Sequence, residues 1–138
     1  MNAPLYTTEI LRLAASLPEP QSLTRVDGSA EQRSLTCGSV VRVDVELDDD
    51  GRVMAVSQAV QACAFGQASA ALLARGSIGH SRDSIGVALN DLQDWLDGVR
   101  EDPGEFPGLV ALAPARSRKS RHGAILLPFR ALVAAMER

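Results

Sequence analysis

Val40-Val41-Arg42-Val43-Asp44-Val45-Glu46-Leu47 alternates apolar with charged residues, the period-two pattern of a strand with one face buried and one face wet. Asp48-Asp49-Asp50-Gly51 follows as a turn, and Arg52 to Val60 resumes an extended run through Val53, Val56 and Val60. Two such runs separated by an acidic-Gly turn predict an antiparallel hairpin. The three aspartates lack the spaced oxygens and distal Glu of a calcium loop, which leaves the turn as their role.

Helical patterns flank the hairpin. Ile10, Leu11, Leu13, Ala14 and Leu17 recur at helical spacing behind a possible Thr7 or Thr8 cap, and Pro18 and Pro20 end that segment. The polar stretch from Gln21 to Thr36 is expected to hold one or two short strands. Beyond the hairpin, Ala64 to Arg75 is Ala-rich and favours helix, with Gly76 and Gly79 as stop signals. Ile85, Ala88, Leu89, Leu92, Trp95, Leu96 and Val99 then trace one face of an amphipathic helix, for which Asp83 is the expected cap. Leu109 to Ala113 is expected to form a short helix ended by Pro114. The last helix is expected from about Ile125, with Pro128 in its first turn, where proline is tolerated.

With 138 residues, of which 46% are hydrophobic, the chain is expected to fold as one domain spanning 1–138. The 14 basic and 17 acidic residues give a formal charge of −3, which creates no global attraction to nucleic acid or anionic lipid. No apolar run approaches the roughly 20 residues a membrane-spanning helix requires, and a cytoplasmic protein is expected. The cluster Arg116, Arg118, Lys119 and Arg121 has no interleaved aromatic residues, so it reads as a solvated loop or a docking patch and not as a nucleic-acid site.

The two cysteines carry the chemistry that the composition permits. In a reducing compartment Cys37 and Cys63 remain thiols. Cys37 lies at the entrance to the hairpin and Cys63 just past its exit, and both ends of a hairpin fall on the same side of a sheet. Cys63 also sits at a helix N-terminus, where free N–H groups favour thiolate, the form that binds metal or attacks sulfur. By spacing alone, Cys63 between Ala62 and Ala64 reads as a small buried residue.

Cys37-Gly38 opening a strand, the Asp50-Gly51 turn, Cys63-Ala64 opening a helix with Ala68-Ser69-Ala70, and the closing Gly76 and Gly79 resemble the NifU-like, IscU-type iron–sulfur cluster assembly scaffolds. The similarity runs from Tyr6 to the last helix and is most specific between Cys37 and Gly79. It implies an α+β fold of the SufE/NifU-like kind, a small three-stranded antiparallel sheet packed by four to five helices. It also implies a platform for a 2Fe–2S cluster or zinc, with a cysteine desulfurase and apo iron–sulfur recipient proteins as partners and no enzymatic activity of its own.

The first two family cysteines fall on Cys37 and Cys63, and the family aspartate falls on Ser39. The third family cysteine falls on Ala124 or, in another register, on Lys119; neither supplies a sulfur. Four ligands normally hold such a cluster or zinc, so the chain's own set is incomplete. His122 is the candidate third ligand through a neutral imidazole, its other reading being a surface histidine. His80, at a helix end, reads as a capping residue. The resemblance thus leaves a scaffold or carrier using Cys37 and Cys63, a metal-free interaction module for the desulfurase machinery, or a persulfide carrier using Cys63. The family's Leu-Pro-Pro-Val-Lys chaperone site is replaced by Ser117-Arg118-Lys119-Ser120-Arg121.

Overall fold

The computed structural model describes residues 6–35 and 38–137. In chain order it contains helix α1 (Thr8–Ala15), strands β1 (Gly28–Arg33), β2 (Val40–Leu47) and β3 (Val53–Gln61), helix α2 (Ala64–Gly76), helix α3 (Arg82–Leu96), a 3₁₀ segment (Leu109–Ser117) and helix α4 (Lys119–Met136). The expected α+β class is what is found: a three-stranded antiparallel sheet in the order β1-β2-β3, packed by five helical segments among the described residues.

The alternating stretch forms β2, the central strand, and its apolar residues point one way. Val41, Val43, Val45 and Leu47 are buried together with Val53 of β3, while Arg42 is exposed and Asp44 and Glu46 are half-buried. Helix α4 packs across this apolar face against β1 and β2, with α2 and α3 on its flanks and α1 against α2. Of the one or two strands expected between Gln21 and Thr36, one forms among the described residues, β1. The residues before it are irregular but pinned to the sheet: the Gln21 N–H donates to Ser57 Oγ at 2.8 Å, and Arg25 Nη2 donates to the Leu47 carbonyl at 2.6 Å.

Gly28 opens β1 because any side chain there would run into the Ala135 carbonyl at the end of α4. Its hydrogen atom is what lets the strand lie against that helix.

Three expected boundaries shift. Helix α4 begins at Lys119, not near Ile125, and Pro128 lies in its interior. Ile125, Leu126, Leu127, Phe129, Ala131 and Leu132 are all buried, so the helix has no polar stripe in its middle to mark its phase. Pro128 has no N–H to donate to the Ala124 carbonyl, and tertiary packing carries the helix through it. The 3₁₀ segment likewise continues through Pro114 to Ser117. Helix α3 is capped by Ser81, whose hydroxyl accepts the Ser84 N–H at 3.1 Å; Asp83 lies inside the first turn and not at the cap.

Candidate functional site

The register Arg33↔Val40 and Val40↔Gln61 brings the end of β1, the start of β2 and the end of β3 to one rim of the sheet. The β1–β2 connection is closed there by Ser34 N–H to Ser39 O at 2.9 Å and Gly38 N–H to Ser34 O at 3.2 Å, with Gly38 at φ +73°, a conformation suited to glycine. Cys37 lies outside the described residues. The two residues that follow it are on this rim, and Ser39, at the family's aspartate position, is buried.

Cys63 follows β3 by two residues and is the N-cap of α2, with extended backbone (φ −67°, ψ 173°) and a half-buried side chain. The other N-cap side chains that bond to their helices are hydroxyls, Thr7 accepting from Ile10 N–H and Ser81 from Ser84 N–H; the Cys63 side chain accepts none. Its carbonyl accepts the Gln67 N–H at 3.0 Å, and Gln67 Nε2 donates to the Ala62 carbonyl at 3.1 Å, so both backbone and side chain of Gln67 brace the turn that carries the thiol.

Helix α4 meets this turn through Ala124. A Cβ placed on Gly66 would lie 3.3 Å from Ala124 Cβ, 3.2 Å from its carbonyl oxygen and 2.6 Å from Ala62 Cβ. Glycine at 66 therefore permits close helix approach, and one turn further on Ser69 Oγ donates to the Ile125 carbonyl at 2.6 Å. Ala124 is 1% exposed. Of the two positions aligned with the third family cysteine, Ala124 packs beside the first turn of α2 and Lys119 is exposed at the start of α4; a methyl group fills the place beside the thiol's helix.

His122 is two residues before Ala124, which on a helix turns it about 200° away. It is not a surface residue: it is 8% exposed, and Nε2 lies 2.8 Å from the Ala115 carbonyl and 3.2 Å from that of Arg116. Carbonyls only accept, so Nε2 carries the proton and donates, which leaves Nδ1 as the nitrogen with a lone pair when the ring is neutral. The ring thus anchors the 3₁₀ segment to α4. Among the described residues no group of three or more His, Cys, Asp or Glu side chains is arranged to hold a metal ion.

His80 does not cap α2, a position taken by Ser77; its Nδ1 lies 2.7 Å from Ser84 Oγ and its ring tilts against Phe106. These residues, with Asp91, Arg100 and Glu105, line a cleft of about 560 Å³. The cleft is at the other end of the sheet, because the backbone of Val53 pairs with Gly79 and His80. Arg100 bridges Asp91 at 2.8 Å and Asp102 at 3.1 Å. Asp102 is held below the usual carboxylate range by the Gly104 N–H and then by Arg100. Arg116, read as part of a basic patch, is instead structural: it stacks over Trp95 at 5.2 Å and donates to the Trp95 and Arg100 carbonyls.

Sequence reasoning found Cys63 at its helix start and Ser69 within the helix motif, but missed Gly66 and Gln67. A glycine inside an Ala-rich helix was the available signal, since it weakens the helix unless something must come close.

An antiparallel sheet of three strands, backed by helices on one face and carrying a thiol where the last strand hands over to a helix, defines a class of small α+β proteins. Neither a family model nor a curated protein matches the sequence. Among solved structures, the N-terminal NifU-like protein from Brucella abortus is 32% identical, with 95% of this chain covering 91% of that one at a TM-score of 0.87. A protein from Fervidobacterium islandicum, assigned as an iron–sulfur cluster assembly scaffold for the SUF system, shares the fold at 18% identity, 96% and 97% coverage and a TM-score of 0.85. At that level of identity and coverage to the Brucella protein, the chain belongs to the NifU-like family.

Proposed function

We propose that this protein is an iron–sulfur cluster assembly scaffold or carrier that binds a labile cluster, or the metal alone, through Cys37 and Cys63. The observation that carries this reading is the placement of Cys63. In a NifU-like fold, it occupies a helix N-cap without making the cap bond, half-exposed, on the rim to which Gly38 and Ser39 also belong. The first turn of α2 contains no acidic residue, so no carboxylate of that turn stands beside the thiol.

The donor set fits the cargo in part. Two thiolates are half of the four ligands that a 2Fe–2S cluster or zinc normally takes, and Ala124 offers no third. His122 contributes only through Nδ1, its Nε2–H being given to Ala115. The remaining positions fall to sulfide, solvent or a partner, which makes the cargo labile and suits a protein that passes it on without turning over a substrate. A cysteine desulfurase as sulfur source and apo iron–sulfur proteins as recipients complete this reading, in the reducing cytoplasm where both thiols persist.

Anaerobic reconstitution with ferrous iron and sulfide tests it. Visible absorption and protein-bound iron are expected for the unmodified chain and their loss for Cys63→Ala and Cys37→Ala. A colourless, iron-free product, with or without a desulfurase, overturns it. The buried methyl of Ala124 favours one alternative, a metal-free interaction module for the desulfurase machinery. Retention of desulfurase binding and physiological activity by the Cys37→Ala/Cys63→Ala double variant would select that alternative.

A further inference from the structure

The arginines outside the start of α4 are largely engaged within the chain: Arg25, Arg33, Arg42, Arg82 and Arg100 each hold a carboxylate, and Arg116 lies over Trp95. Arg118, Lys119 and Arg121 differ. None of the three makes an ion pair or side-chain hydrogen bond among the described residues, and Arg118 and Lys119 are exposed. They stand at the N-terminal end of α4, where the helix dipole disfavours cations, and the first turn of that helix contains no acidic residue to offset them. In a chain of net charge −3, a concentrated positive surface held against local electrostatics gains nothing within the fold. Its position is specific as well. Ala124, three residues beyond Arg121, packs on the first turn of the helix that Cys63 caps.

We propose that Arg118, Lys119 and Arg121 form a docking surface for an Asp/Glu-rich segment of a partner protein, which is thereby seated beside the Cys63 thiol. Charge complementarity selects the partner's chemistry, and three unpaired long side chains can reach carboxylates on a surface that has no fixed shape. No aromatic residue lies between Arg116 and Arg121 to stack on bases, which disfavours single-stranded nucleic acid. The surface deepens the scaffold reading, on which it rests for what the seated partner exchanges; the docking itself needs no cluster.

The test uses the metal-free full chain and a fluorescein-labelled oligoglutamate peptide, with binding followed by anisotropy across a salt series. Binding is expected at low salt and is expected to weaken as salt screens the charges. Arg118→Ser/Lys119→Ser/Arg121→Ser should bind at least ~10-fold more weakly. Arg12→Ser/Arg82→Ser/Arg130→Ser, which removes the same charge from other exposed positions, should bind as the parent does. Bound peptide should also slow alkylation of Cys63, read by peptide mass spectrometry. Absence of binding at low salt, equal weakening in both triple variants, unchanged Cys63 alkylation, or tighter binding of an oligothymidylate probe through the same residues would each overturn the proposal. Failure of cluster reconstitution leaves these readouts intact, so the two hypotheses fail separately.

Discussion

At the Leu47 end of the sheet, side chains fasten strand to turn and strand to loop. Asp48 Oδ1 accepts the N–H groups of Asp50 and Arg52, Arg52 reaches the Gly79 carbonyl, and Asp27 accepts from Leu47 N–H while Arg25 donates to its carbonyl. At the Val40 end, the residues that bring α2 against α4 are small, Ala62, Gly66 and Ala124, and the helix that starts there begins on a thiol that does not cap it. One end uses its polar side chains to hold the fold; the other keeps its reactive side chain out of the fold's hydrogen bonding. The difference teaches where stability and chemistry are separated along the same three strands.

The largest expected effect lies at the fastened end. Leu47→Ala removes a buried side chain, and should lower unfolding stability by about 3 kcal/mol, read from the denaturant midpoint at unchanged slope, while thiol reactivity of the folded fraction stays as it was. A loss of less than about 1 kcal/mol would mean that this end is less tightly packed than its contacts indicate. Gly66→Ala probes the seam between α2 and α4 beside the thiol. Its Cβ has no room against Ala62 and Ala124, so a cost of about 1–2 kcal/mol is expected even after the helix-propensity gain of roughly 1 kcal/mol. A net gain in stability would show that the helices separate freely. The smallest effect is the sharpest comparison: Cys63→Ser should leave stability unchanged or raise it by up to about 1 kcal/mol, because a serine hydroxyl can cap α2, while iron binding in reconstitution is lost. A clearly destabilised serine variant would make the thiol a packing residue.

The hairpin was legible because its faces differ: β2 is buried on one side and wet on the other, so alternation is written into Val40–Leu47. Cys63 at a helix start was legible for a related reason, the abrupt change from an alternating to an Ala-rich composition. The start of α4 was not. A helix buried around its middle shows no periodic stripe, and Pro128 argues locally for an end that packing by α2, α3 and the sheet overrules. Gly28 and His122 were obscure because their reasons are distant in sequence or set by tertiary geometry: the Ala135 carbonyl for the first, and the 3₁₀ carbonyls of Ala115 and Arg116 for the second. Arg116 read as surface charge because nothing in its neighbours announces Trp95.

Among the described residues strand β1 pairs with β2 alone, which leaves a row of backbone groups along its other margin. A flat apolar margin of that kind invites foreign strands and, with them, fibrous aggregation. Here the strand is six residues long and reads Gly-Ser-Ala-Glu-Gln-Arg, with Ser29, Glu31 and Arg33 exposed along one side. Such a short, charged border is a poor template for a foreign strand.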